Sequence, residues 1–299
     1  PLQPSETQAR AEYQALIAAF PDLAINADAR FELAEMQSER GEHDAAIKQL
    51  QEALDKEPSP ELTDKVKVRL GAAYLAKGDA KKALDALTPL ASNPKSAMCG
   101  QAAYRVGECQ LALGKPDEAV KAFAVFRDKP EFQNLPGLTD RALLRLGYAL
   151  AQQKQWEPSR QAYEQVYNRF GNGAWANEAR YGAGWALQSQ GRYDDAVNLY
   201  TQVAAATATE LGARAQLSIG QCRLAQKRYP EATTALLVVP FTYDYPNLSA
   251  LALLEAARGF AENNQPDQAV RLLERVIRDH PDTEQAEAAK KRLTELKKG

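Results

Sequence analysis

Residue types able to do chemistry are few and scattered in these 299 residues. The two histidines, His43 and His280, have no second His or Cys at metal-ligand spacing, so no metal site is read. The three cysteines, Cys99, Cys109 and Cys222, are an odd, sparse set that reads as free thiols, not as a disulfide framework. No histidine is placed to activate any of them as a nucleophile. Asp194-Asp195 and Asp117-Glu118 fall where helices are expected to begin, and there carboxylates complement the positive end of the helix dipole. The glycine-rich stretch GAGWALQSQG follows no strand and lacks the Gly-Lys-Ser/Thr ending of a phosphate loop. We therefore assign no catalytic residue, no metal and no cofactor, and read the chain as non-enzymatic.

The totals fit that reading. Apolar residues make up 45% and charged residues 25%, as in ordinary folded domains. A net charge of −2 gives no overall field for holding nucleic acid or an acidic membrane, which disfavours a helical-repeat RNA binder. No apolar run approaches the ~18 residues of a membrane-spanning helix. The chain shows no signal peptide and does not begin with Met, so it reads as a mature or trimmed fragment.

The elements that position the side chains are clearest in residues 177–208. Arg180, Ala183, Gly184 and Leu187 share one helix face, and Gly191 interrupts. Tyr193, Ala196, Val197, Tyr200 and Val203 then repeat the spacing on a second helix. Small residues let the two helices approach, and large ones fill the gaps. The template recurs as Ala34…Gly41…Ala46…Leu50, Gly71…Gly78…Ala83…Leu87 and Gly107…Gly114…Ala119…Phe123. It continues as Gly147…Lys154…Ser159…Tyr163, Gly184…Gly191…Ala196…Tyr200, Gly220…Lys227…Ala232…Leu236 and Ala257…Asn264…Ala269…Leu273. The leading small residues sit 36–37 apart, with one step of 40 between 107 and 147. A fixed period of this size predicts a solenoid.

The pattern resembles the tetratricopeptide repeat (TPR) family, with its small eighth residue, Gly near the fifteenth, aromatic or apolar seventeenth, Ala at the twentieth and closing Pro. Gly191, Tyr193 and Ala196 match, and Pro58 and Pro281 close repeats. The period exceeds the family's usual ~34 residues. The resemblance implies an all-α, right-handed TPR-type solenoid of about seven helix pairs, with an N-terminal half-repeat and a C-terminal capping helix. Residues 1–299 are read as one such solenoid: half-repeat 5–20, repeats 27–281, cap 283–298. Ser5 is expected to cap the first helix. Pro21 precedes Pro58 by one period, so the chain is expected to open half-way through a repeat, leaving Tyr13, Leu16, Ile17 and Phe20 partly uncovered and prone to self-association. Lys290, Lys291, Arg292, Lys297 and Lys298 give the last helix a polar outer face. The linkers AFPDLAINADARFELAE and DHPDTEQAEAAKKRL are similar to those of bacterial envelope TPR proteins, the group that includes Tol-Pal and outer-membrane assembly factors; that implies a periplasmic or envelope location.

Two connections stand out: 126–140, with two prolines, and 238–248, which holds Phe241, Tyr243 and Tyr245. Those rings either pack back onto helices or form part of a binding surface. Cys109 and Cys222 occupy a slot that elsewhere holds mostly small residues and are read as packing groups, whereas Cys99 at a junction is expected to be more exposed.

In TPR proteins ligands lie along the concave side, lined by the first helix of each pair. Carried onto this chain, the family's groove positions give Asp28, Glu35 and Glu39 in the first repeat and Tyr104 and Glu108 in the third. The fourth gives Arg141 and Tyr148, the fifth Tyr181, Trp185 and Gln188, the sixth Arg214 and Gln221, and the seventh Arg258. Aromatic rings flanked by arginines suit an extended peptide or short helix with apolar anchors and some negative charge. No Asn occupies these positions, so the family's basic-and-Asn clamp for an acidic C-terminus is unmatched. The expected function is a protein–protein interaction scaffold that binds a protein or peptide along the groove. The alternative is the TPR region of a larger enzyme or regulator whose active domain lies outside this chain.

Overall fold

The structure, a computed structural model, describes residues 4–296. Among them are sixteen α-helices and no strand. They fall into two compact units that meet in sequence at Gln153 and Lys154. The first holds α1 (Pro4–Ala19), α2 (Ile25–Glu39), α3 (His43–Leu54), α4 (Pro60–Ala76), α5 (Ala80–Ala91), α6 (Cys99–Ala112), α7 (Pro116–Asp128) and α8 (Thr139–Gln152). The second holds α9 (Trp156–Arg169), α10 (Ala176–Ser189), α11 (Tyr193–Ala206), α12 (Glu210–Ala225), α13 (Tyr229–Thr242), α14 (Pro246–Glu262), α15 (Pro266–Asp279) and α16 (Glu284–Leu296).

Within each unit every helix packs on the next, and α2–α4–α6 and α10–α12–α14–α16 also touch directly as rows of first helices. Two helices start where a side chain caps their free N–H groups. Ser59 Oγ accepts from Leu62 N at 3.3 Å, and Asp79 Oδ1 from Lys82 N at 3.1 Å. Pro60, Pro116, Pro246 and Pro266 stand at first helical positions, where no donor is needed.

Six of the pairs are closed by one recurring fit. The small residue that opens the template meets the large residue sixteen positions later, on the second helix of its pair. A Cβ added to Gly71, Gly107, Gly184 or Gly220 would come within 3 Å of Leu87, Phe123, Tyr200 or Leu236 respectively. Ala34 with Leu50, and Ala257 with Leu273, fill the same places in two further buried clusters. The intervening turn needs a left-handed residue, which closes the helix and reverses the chain. Gly41, Gly78, Gly114 and Gly191 supply it with φ of 67–82°, and Lys154, Lys227 and Asn264 supply it at 56–58°.

Some expectations shift. The first helix begins at Pro4, so Ser5 lies inside it instead of preceding it. Helix α13 runs on through Pro240 to Thr242, so the second unusual connection shrinks to 243–245. Pro240 stands in the last turn and removes one i→i−4 hydrogen bond there, two residues before the helix ends. Cys99 is buried, its Sγ donating to Ala91 O at 3.4 Å, because the junction folds back over it. Burial pushes the Cys109 thiol up to about 11 and Cys222 to about 12, as expected of packing groups. Of the capping residues, Lys297 and Lys298 lie outside the described residues.

Two substitutions test the repeat geometry. Gly107→Ala pushes a methyl against the Phe123 ring and should lower unfolding free energy by roughly 1–3 kcal/mol. Lys227→Gly relieves a left-handed non-glycine and should raise it by up to about 1 kcal/mol. Urea unfolding followed by circular dichroism reads both, and a stabilised Gly107→Ala would contradict the tight fit.

Candidate interaction surface

The first helices carry the residues assigned to ligand contact, and the structure sorts them into three kinds. Some belong to the packing. Tyr104 on α6 is buried, tilted against Phe123 with ring centroids 5.8 Å apart. The Arg141 guanidinium also lies over the ring, 5.1 Å from its centre, and with 3% of the residue exposed little of this ring is left for a partner. Tyr181 on α10 is half-buried and tilts against Tyr200 at 5.3 Å. Gln188 accepts from the Tyr200 hydroxyl at 2.8 Å, which satisfies the polar end of that buried ring. Sequence spacing finds the helix face but not how far a neighbour covers it.

Others are held in ion pairs. Glu108 accepts from Arg145 at 2.9 Å. Arg214 bonds Glu210 one turn earlier at 2.7 Å, and Arg258 lies between Glu255 at 3.2 Å and Glu262 at 3.6 Å. The Arg214–Glu210 pair is exposed on both sides, and such pairs contribute little and exchange readily for a ligand's charge, whereas Glu108 and Glu255 are largely covered. Gln221 is half-buried on α12. In the first repeat Glu35 pairs with Arg69 at 2.5 Å; burial raises its carboxyl pKa, and Arg69 opposes that shift.

The third kind is exposed. Tyr148 on α8 is 42% exposed, and Trp185 on α10 is 40% exposed with its ring edge-on to Trp156 at 5.3 Å. Among the rings of the 238–248 segment, Tyr243 is buried and Tyr245 half-buried, but Phe241 is 73% exposed beneath the Arg275 guanidinium at 5.2 Å. At the N-terminal end Tyr13, Leu16 and Ile17 are half-buried, and the exposed apolar side chains are Phe20, Leu23 and Ile25.

The assignment missed a cavity of about 420 Å³ in the first unit, between α4, α6 and residues 135–138. Its basic residues are Arg69, Arg105 and Arg141, and no acid lines it. One signal was present in the sequence: an arginine stands two places before the small residue in three successive repeats, at Arg69, Arg105 and Arg145.

A family model described as a tetratricopeptide repeat-like domain matches residues 2–144. Tetratricopeptide repeat models match 181–240, and 141–173 with 251–283. No curated protein matches. Among solved structures, a tetratricopeptide repeat protein from Parabacteroides merdae is 14% identical with TM-score 0.58, covering 90% of this chain and 98% of its own. The C-terminal part of a TPR repeat-containing protein from Cytophaga hutchinsonii reaches TM-score 0.67 at 13% identity, over 87% of this chain and 98% of its own. A signal transduction ATPase with numerous domains and a tetratricopeptide repeat sensor, from Pyrococcus horikoshii, reaches 0.67 at 16% identity, over 98% of this chain but 48% of its own. At such identities the likeness speaks to fold alone.

The division into packed and exposed rings has a measurable consequence. Tyr104→Ala empties a buried site and should cost roughly 3 kcal/mol or more, whereas Trp185→Ala loses an edge contact worth about 1 kcal/mol. Thermal unfolding of the two variants should separate them clearly, and equal losses would contradict the division.

Proposed function

Because the chain belongs to the tetratricopeptide repeat family, we propose that it is a non-enzymatic scaffold that binds a peptide or partner protein along the first helices of its repeats. The observation that carries this is the exposure of Tyr148 and Trp185, each one place after the small residue of its repeat, while Tyr104 and Tyr181, three places before it, are buried and half-buried. Large rings held on a rigid helix are good anchors, because little conformational entropy is lost on contact. In the first unit Arg141 offers a polar contact on the helix that bears Tyr148, and in the second Arg214, Gln221 and Arg258 offer them on the first helices that follow Trp185, while Glu108 holds Arg145 and Gln188 holds Tyr200. We read residues 1–299 as a single array, since the repeat phase runs through 27–281 in sequence. A cell-envelope setting is supported by the linker resemblance.

Capture of partners by the purified chain tests this reading. Trp185→Ala and Tyr148→Ala should each lose captured partner by at least tenfold while remaining folded. Unchanged capture by both variants would remove the groove assignment.

A second reading, self-association through the N-terminal end, is favoured by Phe20, Leu23 and Ile25, which are 50%, 53% and 50% exposed. Each such side chain gains roughly 1.5–3 kcal/mol if fully buried. Sedimentation should show mass rising with concentration, and the paired change Leu23→Glu with Ile25→Glu should abolish it. A strictly monomeric wild-type chain would refute self-association.

A further inference from the structure

The ion pairs along the first unit form a ladder with one rung missing. Arg69 on α4 pairs with Glu35 on α2 at 2.5 Å, and Arg145 on α8 pairs with Glu108 on α6 at 2.9 Å. In both, an arginine two places before the small residue of its repeat reaches the residue one place after the small residue of the repeat before. The intermediate rung should join Arg105 on α6 to residue 72 on α4. That residue is Ala72, with no carboxylate to offer. Among the described residues Arg105 has no carboxylate partner; its guanidinium lies over the Tyr104 ring, 5.9 Å from the centroid.

The vacancy opens into the cavity of about 420 Å³, which Ala72, Arg105 and Arg141 all line. This lies within the roughly 300–1,000 Å³ of small-ligand sites. One wall is basic; the other is apolar, made by Leu135, Pro136 and Leu138. That apolar wall is the insertion responsible for the 40-residue step, and it is built, not loose. Thr139 Oγ1 donates to Phe132 O at 2.6 Å and accepts from Leu135 N at 2.9 Å. Gln133 Nε2 donates to Arg127 O at 2.8 Å. Gly100 admits Leu135, whose Cδ1 would lie 2.6 Å from an added Cβ.

We infer that this cavity is a binding site for a carboxylate carried on a short apolar body, with the ligand supplying the carboxylate that Ala72 omits. The neighbouring rungs show that arginines at this repeat position engage carboxylates, and guanidinium groups hold them through paired, charge-assisted hydrogen bonds. The inorganic anions lack a group for the Leu135–Leu138 wall. The site deepens the scaffold reading for Arg141, but its test does not depend on partner capture.

Titration calorimetry of the full chain with three probes provides that test: N-acetyl-Ala-Leu as free acid, the same dipeptide as C-terminal amide, and 4-methylpentanoate. The free acid should bind and the amide should bind at least tenfold more weakly. Binding of 4-methylpentanoate would assign the site to small organic acids, and its failure beside a bound peptide acid would assign it to peptide ends. Arg105→Ala should weaken the acid at least tenfold. Ala72→Glu, which completes the rung, should do the same without lowering the thermal midpoint. Tyr148→Ala should leave this titration unchanged whatever it does to partner capture. Equal binding of acid and amide, no binding of either acid, or wild-type binding by Ala72→Glu would each overturn the proposal.

Discussion

The structure depends on the meeting of a small residue with a large one sixteen positions later. Where Gly71, Gly107, Gly184 and Gly220 stand, the first helix has no side chain, and Leu87, Phe123, Tyr200 and Leu236 enter the space. All four large side chains are fully buried. The fit sets how closely the paired helices approach, and the left-handed turn between them sets their antiparallel course. With those two features repeated, the first helices of successive repeats become neighbours. What remains on their outer faces is available for recognition.

That surface is not uniform. Position within a repeat decides whether a side chain is covered, since within each unit a first helix packs against the helices before and after it. Tyr104 packs against Phe123 and Arg141, and Tyr148 does not enjoy such cover. Charged residues at these positions neutralise one another from repeat to repeat, as Arg69 with Glu35 and Arg145 with Glu108 show. At Ala72 that neutralisation is interrupted, because the residue carries no carboxylate to meet Arg105.

The helix pairs and their packing residues could be read from sequence because they recur. A small residue, a turn and a large residue in fixed phase leave only one way to bury the apolar faces. The αL role of Lys154, Lys227 and Asn264 was visible from alignment with glycines. Exposure was harder to read, because it depends on side chains from other repeats. The burial of Cys99 needs the junction's backbone carbonyl, and the continuation of α13 through Pro240 depends on how the following connection packs. The arginine ladder could have been read from its spacing, but its missing rung and the cavity beside it required the insertion to be placed in space.

A double-mutant cycle on Gly220 and Leu236 tests the packing account most directly. Gly220→Ala adds a methyl where Leu236 sits, and Leu236→Ala removes the side chain that fills the space. If the fit controls the pair, the double variant loses less stability than the sum of the singles, with a coupling of about 1 kcal/mol or more. Losses that add to within about 0.5 kcal/mol would show that the two residues act independently, and the constraint on which the rest is built would not hold.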